Sequence, residues 1–542
     1  MTMLKLLRPV LQPFLRSHAS RFTHALQQPR ESQERLLNKI ISNLAQTDYG
    51  RSLNIKASDD YTSFAAKAPI VDYDDLSDWM ERQKRTEKQV LVAEPVLFYE
   101  QTSGSSGGLK TIPYTQALKD SFNRMFVIWV ADLFAHAPPL RSGKTFISVS
   151  PAFQQPEQTA QGRAIGISDD RDYLNGWLRG LMNRFLVVPS AIKQLRDPTD
   201  FKRALAVLLL AEESLEVISI WNPSFLEVIL DFAQIYRELL IDDLKRGFLR
   251  VQNMEFRFNV PDAKRLALLE EKPIDWQRVW AELKIISCWT SAHAAQAAER
   301  LRAKFPHCFL QGKGLLATEA PLTLPLIEAG GYVPMLTEVF FEFLDEAGNL
   351  RLLPELEAGR DYEIIITQQG GLYRYRLGDR VRATHRYQET MCLEFIGRSN
   401  RVCDLVGEKL NENFVRECLA NLSTTTAFQI LLPVLSKPPF YLLITDEATP
   451  KETGFAGALD ERLSEAFHYR QARQLGQLQA ARVVVVERAR EIYFDYFTAK
   501  GMKFGDIKHQ FLATNTADAE RLFTMMGAQT KIPAWLSKEG NI

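Results

Sequence analysis

Nine consecutive residues, Thr102-Ser103-Gly104-Ser105-Ser106-Gly107-Gly108-Leu109-Lys110, place hydroxyls and glycines ahead of a lysine. Those groups suit a polyphosphate. Glycines let backbone N–H groups approach phosphate oxygens, hydroxyls donate further hydrogen bonds, and an ammonium offsets charge on the outer phosphates. A flexible Gly/Ser linker has much the same composition. The flanks favour the phosphate cradle: Pro95-Val-Leu-Phe-Tyr99 has the pattern of a buried strand, and Lys110-Thr-Ile-Pro-Tyr-Thr115 that of a structured exit. The nucleoside-triphosphatase loop, Gly-x4-Gly-Lys-Ser/Thr, does not fit, because counting from Gly104 puts Leu109 where the second glycine belongs. A Walker-type kinase or motor is therefore disfavoured.

Such a loop needs a scaffold, and the surrounding pattern supplies one. Apolar runs at Lys144–Ser150 and Leu215–Ile220 alternate with helical periodicity over Asp200–Glu212 and Ser224–Arg246, which predicts a mainly parallel sheet covered by helices. Lys284–Trp289, the Ala-rich His293–Lys304 and His307–Gly312 have the length of a strand-helix-strand crossover. Ligands bind at the carboxyl ends of such strands, so Thr290-Ser291 after the first and Gly312–Glu319 after the second face one crevice. Beyond Glu319 the pattern shortens to alternating strands, Leu336–Leu344, Tyr362–Gln368, Tyr373–Arg376 and Val381–His385, an antiparallel meander or small barrel. From about Ser399 a helix at Asn413–Leu422, strands at Phe428–Val434 and Phe440–Thr445, a helix over Leu459–Leu475 and a strand at Arg482–Glu487 predict a small α+β domain. The N-terminal part, Gln33–Trp79, reads as a helical cap.

The 542 residues exceed one core and imply at least two domains. The expected division is a large domain over 1–398, with a β subdomain at about 336–398, and a smaller, mobile domain over 399–542. Charge is balanced, 66 basic against 66 acidic residues without long like-charge blocks, so neither nucleic acid nor an anionic membrane is indicated as partner. Five scattered cysteines without CxxC spacing give no disulfide framework or zinc site, which fits a reducing cytoplasm, and the eight histidines show no HExxH. Residues 1–22 interleave apolar and basic residues around Pro9 and Pro13, so no apolar stretch approaches the ~20 residues of a membrane span. A docked N-terminal helix is expected there, and a monomer is the default.

The loop spacing Thr-Ser-Gly-Ser/Thr-Ser/Thr-Gly-x-x-Lys resembles the phosphate loop of the adenylate-forming superfamily, the acyl-CoA synthetases, peptide-synthetase adenylation domains and luciferases. Three more segments resemble that superfamily in the same chain order: Ala317-Thr318-Glu319, Tyr375-Arg376-Leu377-Gly378-Asp379 and Phe395-Ile396-Gly397-Arg398. Together with Gln46-Thr-Asp-Tyr-Gly50, Pro69-Ile-Val-Asp-Tyr73, Lys110-Thr-Ile-Pro-Tyr-Thr115 and Trp221-Asn-Pro-Ser-Phe225, the wording is similar to that of the auxin-responsive acyl-acid amido synthetase family, in a bacterial-type form. The likeness spans roughly Asn43–Asn413, and more loosely Gly505-Asp-Ile-Lys508.

The resemblance implies activation of a carboxylic acid by Mg·ATP to an acyl-adenylate with release of pyrophosphate. An amine, typically an amino acid, then displaces AMP to form an amide. It implies nucleotide contacts from Thr102, Ser103, Gly104, Ser105, Ser106, Gly107, Lys110, Ser291, Thr318, Glu319, Asp379 and Arg398. Glu319 would hold Mg²⁺, the Asp379 carboxylate the ribose hydroxyls, and Lys110, Arg398 and Lys508 the charge that develops on phosphate. Leu315-Leu316 replaces the usual Tyr-Gly before Ala317, where an aromatic would meet adenine. Trp221 and Phe225, after a buried strand, are the candidates for the acyl pocket, with plain core as the other reading. Two rival functions remain: a thioester-forming acyl-CoA ligase, disfavoured by the lack of a Pro-Lys-Thr-x-x-Gly-Lys tail, and a non-catalytic nucleotide-binding module.

Overall fold

The structure, a computed structural model, describes residues 3–102, 110–149, 157–158, 163–165, 180, 183–291, 294–398, 402–403, 405–406, 408, 410–422, 427–436, 438–446, 454–474, 478–502 and 504–527. Contacts divide the chain into two compact units, Met1–Ile396 and Gly397–Ile542.

In the larger unit, four parallel strands lie in the order Phe309–Gly312, Ile285–Cys288, Leu215–Ser219, Lys144–Ile147. Their apolar runs reflect cover on both faces: every residue of Leu215–Ser219 and Ile285–Cys288 is buried. The helix Ala295–Lys304 makes the crossover between the two strands at one edge. The helical run expected over Ser224–Arg246 is two helices, Pro223–Ile235 and Arg237–Arg246, broken at Tyr236. The loop tract grows from a separate sheet, in which Phe98–Thr102 pairs antiparallel with Lys110–Tyr114.

An antiparallel sheet follows, ordered Leu350–Leu352, Phe340–Leu344, Asp361–Gln368, Leu372–Tyr387, Thr390–Arg398. The N-terminal helices Pro29–Leu44, Tyr61–Lys67 and Tyr73–Lys84 share its core, where Leu37, Ile41, Phe64 and Leu76 pack with Phe341, Phe343, Ile364 and Ile366. Gln33 fastens that layer: its side-chain amide donates to the Leu336 and Val339 carbonyls and accepts from the Phe341 N–H. Pro9 and Pro13 do not break the first helix, which runs Met3–Gln27 and packs Leu15 against Val127 and Ala131.

In the smaller unit, Gln429–Val434 and Phe440–Thr445 pair antiparallel and Arg482–Val485 joins in parallel. The helices Glu412–Leu422 and Phe455–Leu463 bury Val415, Leu419, Leu459 and Leu463 with Leu431 and Leu443 of this sheet. The single helix expected over Leu459–Leu475 is split into Phe455–Leu463 and Phe467–Gln474. Among the described residues no helix is long and apolar enough to cross a membrane.

Candidate active site

Thr102 and Lys110 face each other as the last paired residues of the hairpin Phe98–Thr102/Lys110–Tyr114. The tract 103–109, with Ser103, Gly104, Ser105, Ser106 and Gly107, lies outside the described residues, as does the Thr102 side chain. The base of the hairpin is held from below. Tyr73 accepts the Thr111 N–H at 2.9 Å, and the Lys110 ammonium lies 5.4 Å from the Tyr73 ring centroid. Tyr73 ends the Pro69–Tyr73 motif, in which Asp72 caps the helix Tyr73–Lys84 with a reciprocal Asp75 bond. Val71 bridges to Tyr375, its N–H donating to the Arg374 carbonyl and its carbonyl accepting from the Arg376 N–H. One short motif thus joins the hairpin to the Tyr375–Asp379 segment.

Thr318 and Glu319 form the two-residue turn between the paired strands Leu316–Ala317 and Ala320–Pro321. Both turn carbonyls are held. Tyr114, at the end of the hairpin strand, donates to the Thr318 carbonyl at 2.7 Å, and the Gln368 amide donates to the Glu319 carbonyl at 3.0 Å. Glu319 is only 9% exposed.

The expected break between Tyr373–Arg376 and Val381–His385 does not occur: Leu372–Tyr387 is one strand. Its register shifts instead, with Arg376 opposite Ile365 but Arg380 opposite Glu363, so Leu377-Gly378-Asp379 bulges out of the ladder. Gly378 takes φ +79° there, a left-handed conformation that glycine adopts at no steric cost. Bulges re-aim side chains next to active sites, and this one carries Asp379, 2% exposed. The hydrogen bonds through Val71, Tyr73, Tyr114 and Gln368 therefore connect the segments of Lys110, Thr318-Glu319 and Tyr375–Asp379 within one unit.

Ser291 follows the strand Ile285–Cys288, with its carbonyl accepting the Ala294 N–H. The Arg398 backbone ends the strand Thr390–Arg398, while its side chain lies outside the described residues. Lys508 belongs to the smaller unit, where its carbonyl accepts from the Tyr493 hydroxyl. Of the lysines near it, Lys500 is paired with Asp518 at 2.6 Å, and Lys503 lies outside the described residues.

An open cleft lies at the carboxyl ends of the parallel strands, lined by Met125, Phe126, Trp129, Trp221, Lys313, Gly314, Leu316, Thr323, Leu324 and Pro325. Of the two pocket candidates only Trp221 lines it. Phe225, fully buried and stacked on Phe146, belongs to the core, because its helix starts at Pro223 and turns that position onto the sheet. Met125, Phe126 and Trp129 come from one face of the helix Gln116–His136, whose 3.6-residue period brings those positions together. Sequence reading did not single them out, nor Lys313; only the helical spacing would have pointed to them.

Among the described residues no cluster of three His, Cys, Asp or Glu side chains could hold a metal. A phosphate-borne Mg²⁺ asks for less, one or two carboxylates with waters and phosphates completing its shell. A single well-buried carboxylate, Glu319, at a fixed turn fits that demand. The four thiols Cys288, Cys308, Cys392 and Cys418 are held well above their usual pKa by burial, Cys392 and Cys418 at about 11, and none is part of this constellation.

Comparison with known proteins follows the same order along the chain. The models for the GH3 family N-terminal, central and C-terminal domains match residues 18–310, 332–398 and 408–517. The chain is 25% identical over 444 residues to indole-3-acetic acid-amido synthetase GH3.15 of Arabidopsis thaliana, covering 72% of each. It is likewise 25% identical over 429 residues to jasmonoyl-L-amino acid synthetase JAR6 of Nicotiana attenuata, covering 70% of this chain and 71% of that one. Among solved structures, the GH3.15 acyl acid amido synthetase in complex with 2,4-DB superposes with a TM-score of 0.82 at 21% identity, covering 96% of both chains. A 2-hydroxyisobutyryl-CoA ligase in the postadenylation state superposes with a TM-score of 0.52 at 12% identity, over 95% of this chain and 92% of that one. These two structures show a shared fold.

Proposed function

The chain belongs to the GH3 family, and from that premise we propose that it is an ATP-dependent acyl-acid amido synthetase, activating a small carboxylic acid as its adenylate and passing the acyl group to an amine, with an amino acid as the expected acceptor. The observation that carries this reading is the hydrogen-bonded linkage of the Lys110 hairpin, the Thr318-Glu319 turn and the Asp379 bulge.

A carboxylate is a poor electrophile, and adenylation makes it a good one. Its oxygen attacks the α-phosphorus of ATP, the bond to the β-phosphate breaks, and pyrophosphate leaves. The protein's part is to stabilise charge that develops on phosphate oxygens and to hold the reactants in line. We assign Thr102, the Ser103–Gly107 loop and Lys110 to the outer phosphates, Ser291, Thr318 and Arg398 to further nucleotide contacts, and the Asp379 carboxylate to the ribose hydroxyls. Glu319 would hold Mg²⁺, which when bound shields charge on the phosphates. Lys508 is the candidate cation for adenylation. In the second step the amine nitrogen attacks the acyl carbon, the bond to the adenylate oxygen breaks, AMP leaves and the amine gives up a proton. That step needs chiefly a positioned amine.

The cavity beside Trp221 is assigned to the acid. No disulfide joins any of the five cysteines, which supports a reducing compartment, and we place the protein in the cytoplasm as a monomer.

The test is pyrophosphate release from Mg·ATP over a panel of aromatic and aliphatic acids, each with an amino-acid mixture or with coenzyme A, and products identified by mass. Amide products are expected. Thioester products would replace this reading by the acyl-CoA ligase. ATP binding without release over a broad panel would favour a non-catalytic nucleotide-binding module.

A further inference from the structure

Lys508, the cation assigned to adenylation, belongs to a stretch of the smaller unit that is fastened on both sides of it. Beyond it, the chain runs beside the strand Gln429–Val434: the Leu431 N–H donates to the Phe511 carbonyl at 2.8 Å, the Ala513 N–H donates to the Leu431 carbonyl at 2.9 Å, and Leu512 bridges Leu431 in parallel. The Phe511 N–H also donates to the Glu412 carboxylate at 2.9 Å, at the start of the helix Glu412–Leu422. Before it, Ile507 is buried.

Two side chains extend that fastening back to Lys508. The Tyr493 hydroxyl, from the helix Ala489–Ala499, donates to the Lys508 carbonyl at 2.9 Å, and the next residue, His509, meets the Gln429 carbonyl through Nε2 at 2.6 Å. A carbonyl can only accept, so that nitrogen carries the ring proton. Both rings are held by packing. Tyr493 is fully buried, with the Phe428 and Phe497 ring centroids at 5.3 and 4.8 Å, and His509 has those of Phe428 and Phe511 at 4.7 and 4.5 Å. Holding the Lys508 carbonyl limits ψ of that residue and so the direction in which its side chain leaves the backbone. An ammonium that stabilises charge on phosphate must arrive within a narrow range of positions, and backbone order supplied by folding is not lost again at the moment of reaction.

We propose that Tyr493 and His509 are positioning residues for the adenylation step: Tyr493 orients Lys508 through its carbonyl, His509 anchors the residue that follows, and together they set the direction in which the ammonium is presented. Both act through Lys508 rather than on a substrate. This rests on the amido synthetase reading and on the assignment of Lys508 to adenylation.

The experiment measures kcat for pyrophosphate release, with the acid that gives the fastest release in the panel above, and separately the rate of amide formation from the preformed acyl-adenylate. It compares the wild type with Tyr493→Phe, His509→Phe, Lys508→Ala and the two double variants that combine Lys508→Ala with each aromatic change. Both aromatic changes keep a ring in place and remove the hydrogen bond. Tyr493→Phe is expected to slow pyrophosphate release about three- to tenfold, the size of one lost hydrogen bond, and to leave amide formation within about twofold of wild type, with His509→Phe acting in the same direction. In the Lys508→Ala background neither change should slow release further, because residues that act through Lys508 then have nothing to position. A role in the stability of the smaller unit alone would slow both half-reactions alike and would add its full loss to that of Lys508→Ala. Either of those results, or wild-type release in Tyr493→Phe, would overturn the proposal. Should Tyr493→Phe fail to fold, His509→Phe carries the same test with the same outcomes. If Lys508→Ala itself releases pyrophosphate at the wild-type rate, the assignment of Lys508 is what fails, and the positioning role falls with it.

Discussion

Glu319 occupies a turn whose two carbonyls are both held from neighbouring strands, so its carboxylate is placed by backbone bonds rather than by its own contacts alone. Replacing it should therefore remove chemistry and leave the fold. Glu319→Ala is expected to lower Mg²⁺-dependent pyrophosphate release by roughly 10²–10³-fold, the size seen when a single charge-stabilising group is lost, with an unaltered circular dichroism melt; a rate equal to wild type would refute the assigned role. Asp379 should act on binding. A carboxylate receiving hydrogen bonds from a ligand contributes about 1.5–3 kcal/mol, so Asp379→Ala should weaken ATP roughly 10- to 100-fold in calorimetry, and an unchanged affinity would remove it from the ribose site.

At the scale of elements, the register shift in the strand Leu372–Tyr387 matters most, because it lets a continuous sheet strand deliver one side chain out of pattern. Its conformation depends on Gly378 at φ +79°. Gly378→Ala should cost about 1–2 kcal/mol, the usual penalty for an L-residue in that region. Because the strain falls beside Asp379, ATP affinity should drop while KM for the acid stays close to wild type. Equal effects on both would mean that the bulge serves the sheet only. Motif Pro69–Tyr73 works at this scale too: its residues tie two site-bearing elements together.

At the scale of the molecule, the helical layer is fastened to the antiparallel sheet by a buried ion pair. Arg374 donates to Glu342 at 2.8 Å and also to the Ala65 and Ala68 carbonyls, and Tyr61 donates to Glu342. Glu342→Ala would strand a buried guanidinium, a change that typically costs about 3–5 kcal/mol. A lower urea midpoint with near-native activity at low temperature is expected, and an unshifted midpoint would show that the pair is dispensable. The smaller unit is expected to act through Lys508. Lys508→Ala should slow adenylation more than amide formation from preformed acyl-adenylate, and the reverse order would move the residue to the second step.

The alternation of apolar runs and helical periods was enough to read the parallel sheet and the antiparallel one, because burial on two faces or one leaves a periodicity in the chain itself. The family was legible as well, since glycines, hydroxyls and carboxylates at set spacings answer to a nucleotide whatever lies between them. What the sequence could not reveal was convergence. Gly378-Asp379 has the composition of a turn, and only strand pairing on both sides makes it a bulge. Trp221 and Phe225 are equivalent on paper, yet the start of one helix at Pro223 sends Phe225 into the core and leaves Trp221 on the cavity. Lys313 read as one lysine among many, yet its ammonium lies 3.8 Å from the Trp221 ring centroid on the same cavity. Local periodicity is written along the chain, whereas a pocket is the sum of contacts between residues far apart in it.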